Sequence, residues 1–120
     1  MVEATCHCGN VSIELSHLPD WVISCNCSVC FRIGSLWAYY LPEDVSIRFT
    51  KEPTATYSWG DEMIAFHHCT NCGCLTHYTT TDKSERQRTV INFRMVDRKI
   101  TESIRVRKFD GAGSWTFVDE

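Results

Sequence analysis

Apolar and polar residues alternate along four short stretches: Val11 to Leu15 (VSIEL), Val45 to Phe49 (VSIRF), Thr89 to Phe93 (TVINF) and Ile104 to Phe109 (IRVRKF). Successive side chains of a strand point to opposite faces, so this period of two predicts half-buried β-strands. Leu36 to Leu41 (LWAYYL) and Met63 to His67 (MIAFH) are nearly continuous runs of aromatic and aliphatic residues, which suit strands buried on both faces. Turn signals separate these segments at Leu18-Pro19-Asp20, Pro42-Glu43-Asp44, Trp59-Gly60-Asp61 and Asp110-Gly111-Ala112-Gly113. Nothing keeps a helical period over three or four turns, so helix is expected only as single turns, at Pro42 to Val45 or Thr81 to Arg86. The polar run Thr79 to Arg88 (TTTDKSERQR) reads as a surface hairpin connection. The pattern predicts one mainly β domain over residues 1–120, with little helix.

Composition narrows the function. Of the 120 residues, 43% are hydrophobic and 22% charged, as in an ordinary globular protein. A net charge of -3 lacks the basic footprint of a nucleic-acid binder, and no run approaches the length of a membrane span. The opening MVEATCHCGN has neither a basic n-region nor an apolar h-region, so a cytoplasmic location is expected. That compartment keeps thiols reduced, which turns close cysteines toward metal or redox chemistry rather than a disulfide framework.

The eight cysteines form three clusters: Cys6 and Cys8 (CHC), Cys25, Cys27 and Cys30 (CNCSVC), and Cys69, Cys72 and Cys74 (CTNCGC). A CxC pair on a strand presents both sulfurs to one face, and CxxC does the same from a tight turn. Zinc suits these donors: it takes soft thiolates tetrahedrally and needs no redox partner, although thiolate clusters also serve iron–sulfur centres. Glycine follows two of the pairs, at Gly9 and Gly73, where positive φ would fold backbone N–H groups back toward sulfur. These matching pairs predict one closed structural site from Cys6, Cys8, Cys69 and Cys72. The triplet is left with three thiolates, the count of a catalytic zinc with one open position. In the alternative, Cys74 or one of His67, His68 and His77 closes it, although Cys74 on a strand would share the face of Cys72 and lie nearer the first site.

The order CxCG, then CxCxxC with glycine shortly after (Phe31-Arg32-Ile33-Gly34), then CxxCG resembles the family of glutathione-dependent formaldehyde-activating enzymes and centromere protein V. Asn92-Phe93-Arg94 and Phe109-Asp110-Gly111 resemble that family's C-terminal half. The resemblance implies a tent-shaped antiparallel β fold with a structural zinc at Cys6, Cys8, Cys69 and Cys72. It also implies a catalytic zinc at Cys25, Cys27 and Cys30. Cys74 lies outside that seven-ligand pattern.

The expected activity is then that of a zinc-dependent carbon–sulfur lyase or synthase joining a thiol such as glutathione to formaldehyde or a related small electrophile. Zinc held by three thiolates carries a charge of about -1, which suits it better to holding a thiolate than to generating hydroxide. Arg32 and Arg94 are candidates for gripping the tripeptide's carboxylates, against the plain reading of solvated surface charges. Trp21, Trp37, Trp59 and Trp115 could line a pocket or simply fill the core. His77 is either a proton shuttle or a hydrogen-bonded core residue, and His7 and His17 carry no motif. The expected partner is a small-molecule thiol, with no nucleic acid and no membrane, and a homodimer is compatible with the sequence. The competing function is a noncatalytic zinc-stabilised binding module. Metal storage is disfavoured, because the cysteines sit among strand segments rather than in a cysteine-dense tract.

Overall fold

The computed structural model describes residues 2–118. It contains ten strands in two sheets. The smaller sheet joins β1 (Val2–Thr5), β2 (Val11–Leu15) and β5 (Val45–Phe49) in the order β1-β2-β5, antiparallel throughout. The larger sheet runs β10-β3-β4-β9-β8-β7-β6. Its strands are β3 (Trp21–Cys25), β4 (Trp37–Tyr40), β6 (Ala55–Tyr57), β7 (Ile64–His68), β8 (Leu75–Thr80), β9 (Thr89–Asn92) and β10 (Arg105–Phe109). The mainly β expectation holds, with one difference in detail: β10 lies parallel to β3, pairing Arg105 with Trp21 and Phe109 with Cys25. This brings the chain's last strand alongside the first two cysteines of the triplet.

All six predicted strands form, within a residue or two of the expected ends. Four more were not signalled. β1 and β6 are short, β3 has buried residues on both faces and so no alternation, and β8 (LTHYTT) reads as polar although Thr76 and His77 are fully buried. The helix expectation needs correcting. Pro42–Asp44 does form a single 3-10 turn, but residues 81–86 are only turns and bends. Helix appears instead at α1 (Ser28–Ile33) and α2 (Arg98–Ser103). Each is fixed by its ends rather than by periodicity: Gly34 closes α1 in the left-handed conformation, and the Asp97 side chain accepts the Lys99 N–H at the start of α2.

The large sheet buries a different cluster on each face, as strand alternation dictates. Val22, Ala38 and Ile91 pack with Ile13 and Leu15 of the small sheet, whereas their chain neighbours Ile23, Trp37 and Val90 pack with Phe66 and Cys30 on the opposite side. The first face is the core between the sheets. The second carries the cysteine triplet and the cleft described below. Burying each large aliphatic side chain of this kind contributes about 2 kcal/mol.

Between β7 and β8, His67 and His77 are cross-strand partners whose rings stack 4.2 Å apart. Burial, and then the neighbouring His67, hold the His77 imidazole down at about 3, so it remains neutral in the folded chain. An unfolded histidine titrates near pH 6.5, so below that pH the unfolded state binds the extra proton and folding stability declines until about pH 3. The slope from this residue reaches about 1.4 kcal/mol per pH unit, and its contribution is intact above pH 6.5. Denaturant unfolding in excess zinc, compared between about pH 7.5 and 5.5, should show this loss, and His77→Gln should show a shallower one.

Candidate metal centres and an aromatic cleft

Two tight turns face each other across the sheets. One joins β1 to β2 and carries Cys6 and Cys8; the other joins β7 to β8 and carries Cys69 and Cys72. The cysteines are therefore presented by turns rather than by strand faces. Gly9 (φ +85°) and Gly73 (φ +78°) take the left-handed conformation that the glycine positions predict. In the first turn the Val11 N–H donates to Cys6 Sγ at 3.2 Å, and in the second the Asn71 N–H donates to Cys69 Sγ at 3.4 Å. The four sulfurs lie within 4.8 Å of one another, with Cys6 to Cys8 at 3.7 Å and Cys8 to Cys69 at 3.6 Å.

Those spacings suit a single ion. A tetrahedron with metal–sulfur bonds of 2.3 Å has sulfurs about 3.8 Å apart, whereas a four-iron cluster spreads its cysteines around a larger cube. The electrostatics are divided among the four. Burial raises the Cys72 thiol, but N–H groups of Cys74 and Cys8 and its sulfur neighbours outweigh that and bring it down to about 5. Cys69 is lowered by the N–H groups of Cys72 and Asn71. Cys6 goes the other way, pushed up to about 11 by burial despite the Val11 N–H. A cation would equalise them.

Asn10 belongs to this site and was missed in the sequence. Fully buried, it donates from Nδ2 to Cys69 Sγ at 3.7 Å and to the Glu52 carbonyl at 2.9 Å. Its Oδ1 accepts the N–H groups of Lys51 and Glu52, tying the chain beyond β5 to the sulfur cluster. Its position directly after Cys8-Gly9 was the available signal. Cys74 lies beside Cys72 and outside the four-sulfur group, with its thiol raised by burial. This is the placement its spacing suggested.

The triplet assembles at the end of β3. Cys25 is the last residue of that strand, Cys27 precedes the first turn of α1 and Cys30 lies within it, so a strand end and a helix start converge their sulfurs within 4.8 Å. Cys30 Sγ accepts the Trp37 indole N–H at 3.3 Å, and Cys25 Sγ accepts the Cys27 N–H at 3.5 Å. Burial pushes the Cys25 and Cys30 thiols up. At Cys27 burial acts in the same direction but is overcome by N–H groups of Cys30 and Val29 and by sulfur neighbours, leaving that thiol lowered. Among the described residues no fourth cysteine, histidine or carboxylate joins the group. Of the side chains considered for closing it, His77 bonds Thr76, His67 bridges Thr54 and Thr79, Cys74 stands by the other cluster, and His68 lies outside the group. All eight cysteines are free of disulfides.

A cleft of about 790 Å³ opens onto Cys25, Cys27 and Cys30. All four tryptophans line it, with Trp37 also buried in the core, so the two readings of these residues are not exclusive. The turn after β10 closes one side. Asp110 accepts from the Asn26 amide at 2.9 Å and from the Ser114 N–H at 2.9 Å, and Asn26 in turn accepts the Ala112 N–H. This clasp presses Gly111 onto the triplet. A Cβ there would stand 2.7 Å from Cys25 Sγ and 3.2 Å from Cys27 Cβ. Arg32 and Arg94, expected to bind substrate carboxylates, do not line the cleft. Arg32 donates to the Ser28 carbonyl at 2.8 Å and Arg94 Nε to the Gly34 carbonyl at 3.2 Å.

A family model described as glutathione-dependent formaldehyde-activating enzyme matches residues 1–108. The chain belongs to that family. As a member of the glutathione-dependent formaldehyde-activating enzyme family it has two cysteine groups able to hold metal ions, and their donors are compatible with zinc. The fold is similar to a crystal structure of a Rhodobacter sphaeroides protein, with a TM-score of 0.69 and 25% sequence identity, covering 87% of this chain and 98% of that one. No curated protein matches the chain. The family match ends at residue 108, so Gly111, Trp115 and the Asn26–Asp110 clasp partner lie past it. Among the described residues no helix is long and apolar enough to cross a membrane.

Three variants follow from these geometries. Gly111→Ala should lower the affinity of the three-cysteine site by about ten-fold or more while leaving the other site filled, read as metal stoichiometry under a graded chelator. Cys69→Ser should lower the thermal midpoint by about 10 °C or more, because it opens the knot between the sheets. Cys27→Ser should cost one equivalent of metal with a far smaller thermal shift.

Proposed function

We propose that the protein is a zinc-dependent carbon–sulfur lyase or synthase that catalyses reversible addition of a thiol to formaldehyde or a related small carbonyl compound. One observation carries this reading: three convergent cysteines, joined by no fourth ligand among the described residues, face a cleft large enough for a small molecule. Glutathione, in the family's description, supports a thiol as one reactant. In the addition a sulfur–carbon bond forms as the carbonyl π bond opens, and the thiol proton ends on the former carbonyl oxygen; cleavage is the reverse, with no oxidant or reductant.

Cys25, Cys27 and Cys30 would hold the zinc ion. Bound there, zinc would supply Lewis acidity that keeps a substrate sulfur deprotonated at neutral pH. The chain's own side chains account for the rest. The Trp37 indole N–H fixes the Cys30 sulfur and offsets part of its charge. Tyr39 and Tyr78 line the cleft; burial raises both phenols, which therefore keep their protons and can donate to an oxyanion. The aromatic walls exclude water and hold the reactants at short range. Gly111 leaves the triplet uncovered where any larger residue would press on it.

A noncatalytic binding module of the same fold would be expected to close its second metal site with a fourth side chain, and none of the described residues does so. The test is exchange spectroscopy with labelled formaldehyde and a thiol, on protein of known zinc content. The protein should accelerate adduct exchange above the solution rate, and Cys27→Ser should reduce that acceleration by about 100-fold or more. Full acceleration by the variant, or none by the two-zinc protein, contradicts the assignment.

A further inference from the structure

The cleft is far larger than formaldehyde needs, so its shape and charge describe the remainder of the other reactant. Among the described residues no lysine, arginine or histidine lines it. Among the described residues the only carboxylate on its wall is Asp61, which accepts the Met63 N–H at 3.1 Å. Three thiolates around a divalent ion leave a charge of about -1 on the floor, and in a site with apolar walls that charge acts over several ångströms. An anionic ligand would meet two negative groups and, among the described lining residues, no cationic side chain. Arg107 stacks on two of the wall's rings, its guanidinium carbon 3.8 Å from the Phe117 centroid and 5.1 Å from that of Trp21.

The mouth of the cleft adds a second observation. Trp59 and Trp115 both line it and are 47% and 69% exposed, a large apolar area to leave in water. Each is presented by a turn with a strained non-glycine residue: Trp115 itself has φ +59°, and Glu62, three residues after Trp59, has φ +58°. Such conformations persist only where surrounding structure enforces them. At Trp115 the enforcement is visible. Its N–H bonds the Asp110 carbonyl at 2.7 Å, Asp110 holds Ser114, and its ring packs edge-on against Phe109 at 5.1 Å.

We infer that the thiol taken by this site is an uncharged aryl or alkyl thiol, seated with its apolar group against Trp59 and Trp115, rather than an anionic peptide thiol. The inference rests on the thiol–carbonyl reading above and names its substrate class. Ring-on-ring contact at the mouth would place the apolar group, and the thiol would reach inward to the triplet. Discrimination against glutathione comes from two sources: its carboxylates find no donor, and they approach like charge.

The zinc-loaded full chain is titrated with 2-phenylethanethiol and with glutathione, binding being read from tryptophan fluorescence and calorimetry, and formaldehyde adduct exchange is followed in parallel. The aryl thiol should bind about ten-fold or more tightly than glutathione. Trp115→Ala and Trp59→Ala should each weaken the aryl thiol about five-fold, with glutathione changed by less than about two-fold and both zinc ions retained. Equal or tighter binding of glutathione overturns the inference, as does failure of either tryptophan variant to affect the aryl thiol. A dimer that buries these tryptophans and dissociates in the variants also overturns it, because a second copy would then be the occupant. Tight aryl-thiol binding without faster adduct exchange separates the two readings: the ligand class stands and the reaction falls.

Discussion

Four sulfur atoms within 4.8 Å of one another cannot all be ionised without a cation, and the relation between the two sheets depends on that requirement. The turn from β1 to β2 and the turn from β7 to β8 meet there, far apart in sequence and in different sheets. Backbone N–H groups and Asn10 already point at these sulfurs, so the turns are built to stabilise thiolates. Without the ion, Cys6 and Cys72 have opposite protonation tendencies, and the knot would relax toward a looser thiol cluster. A domain of 120 residues has a modest core, and a metal cross-link between sheets therefore has a large effect on its stability.

The large sheet converts that cross-link into a platform for the second site. Because neighbouring residues project to opposite faces, Val22, Ala38 and Ile91 fix the sheet against the smaller one while Ile23, Trp37 and Val90 build the floor around Cys30. The triplet thus stands on a rigid surface, and its geometry is set by a strand end and a helix start rather than by a loose loop. The parallel β10 adds the last constraint, carrying the Asp110–Ser114 turn back over Cys25.

Much of this was legible in the residue pattern. Both cysteine groups, the positive φ of Gly9 and Gly73 and six strands follow from spacing and alternation, because those signals are local. The misses share a physical cause. β8 buries Thr76 and His77, whose polar side chains bond each other and so hide the burial from a hydropathy pattern, and α1 is six residues long, too short for a period to show. The arginines show the converse: proximity in sequence to a ligand does not by itself aim a side chain, and Arg32 turns back on the carbonyl four residues before it.

The metal-binding motifs and most of the cleft wall, Trp59 included, lie within residues 1–108, and Phe109, Gly111, Trp115 and Phe117 complete the wall beyond them. Metal ligation tolerates few residue types at few spacings, so it is held by short motifs. An apolar wall can be built from many side chains, and it selects by what it fails to offer as much as by what it touches. A rim of exposed tryptophans, with no cation among the described lining residues, can therefore change which thiol enters without altering any residue that would hold the metal.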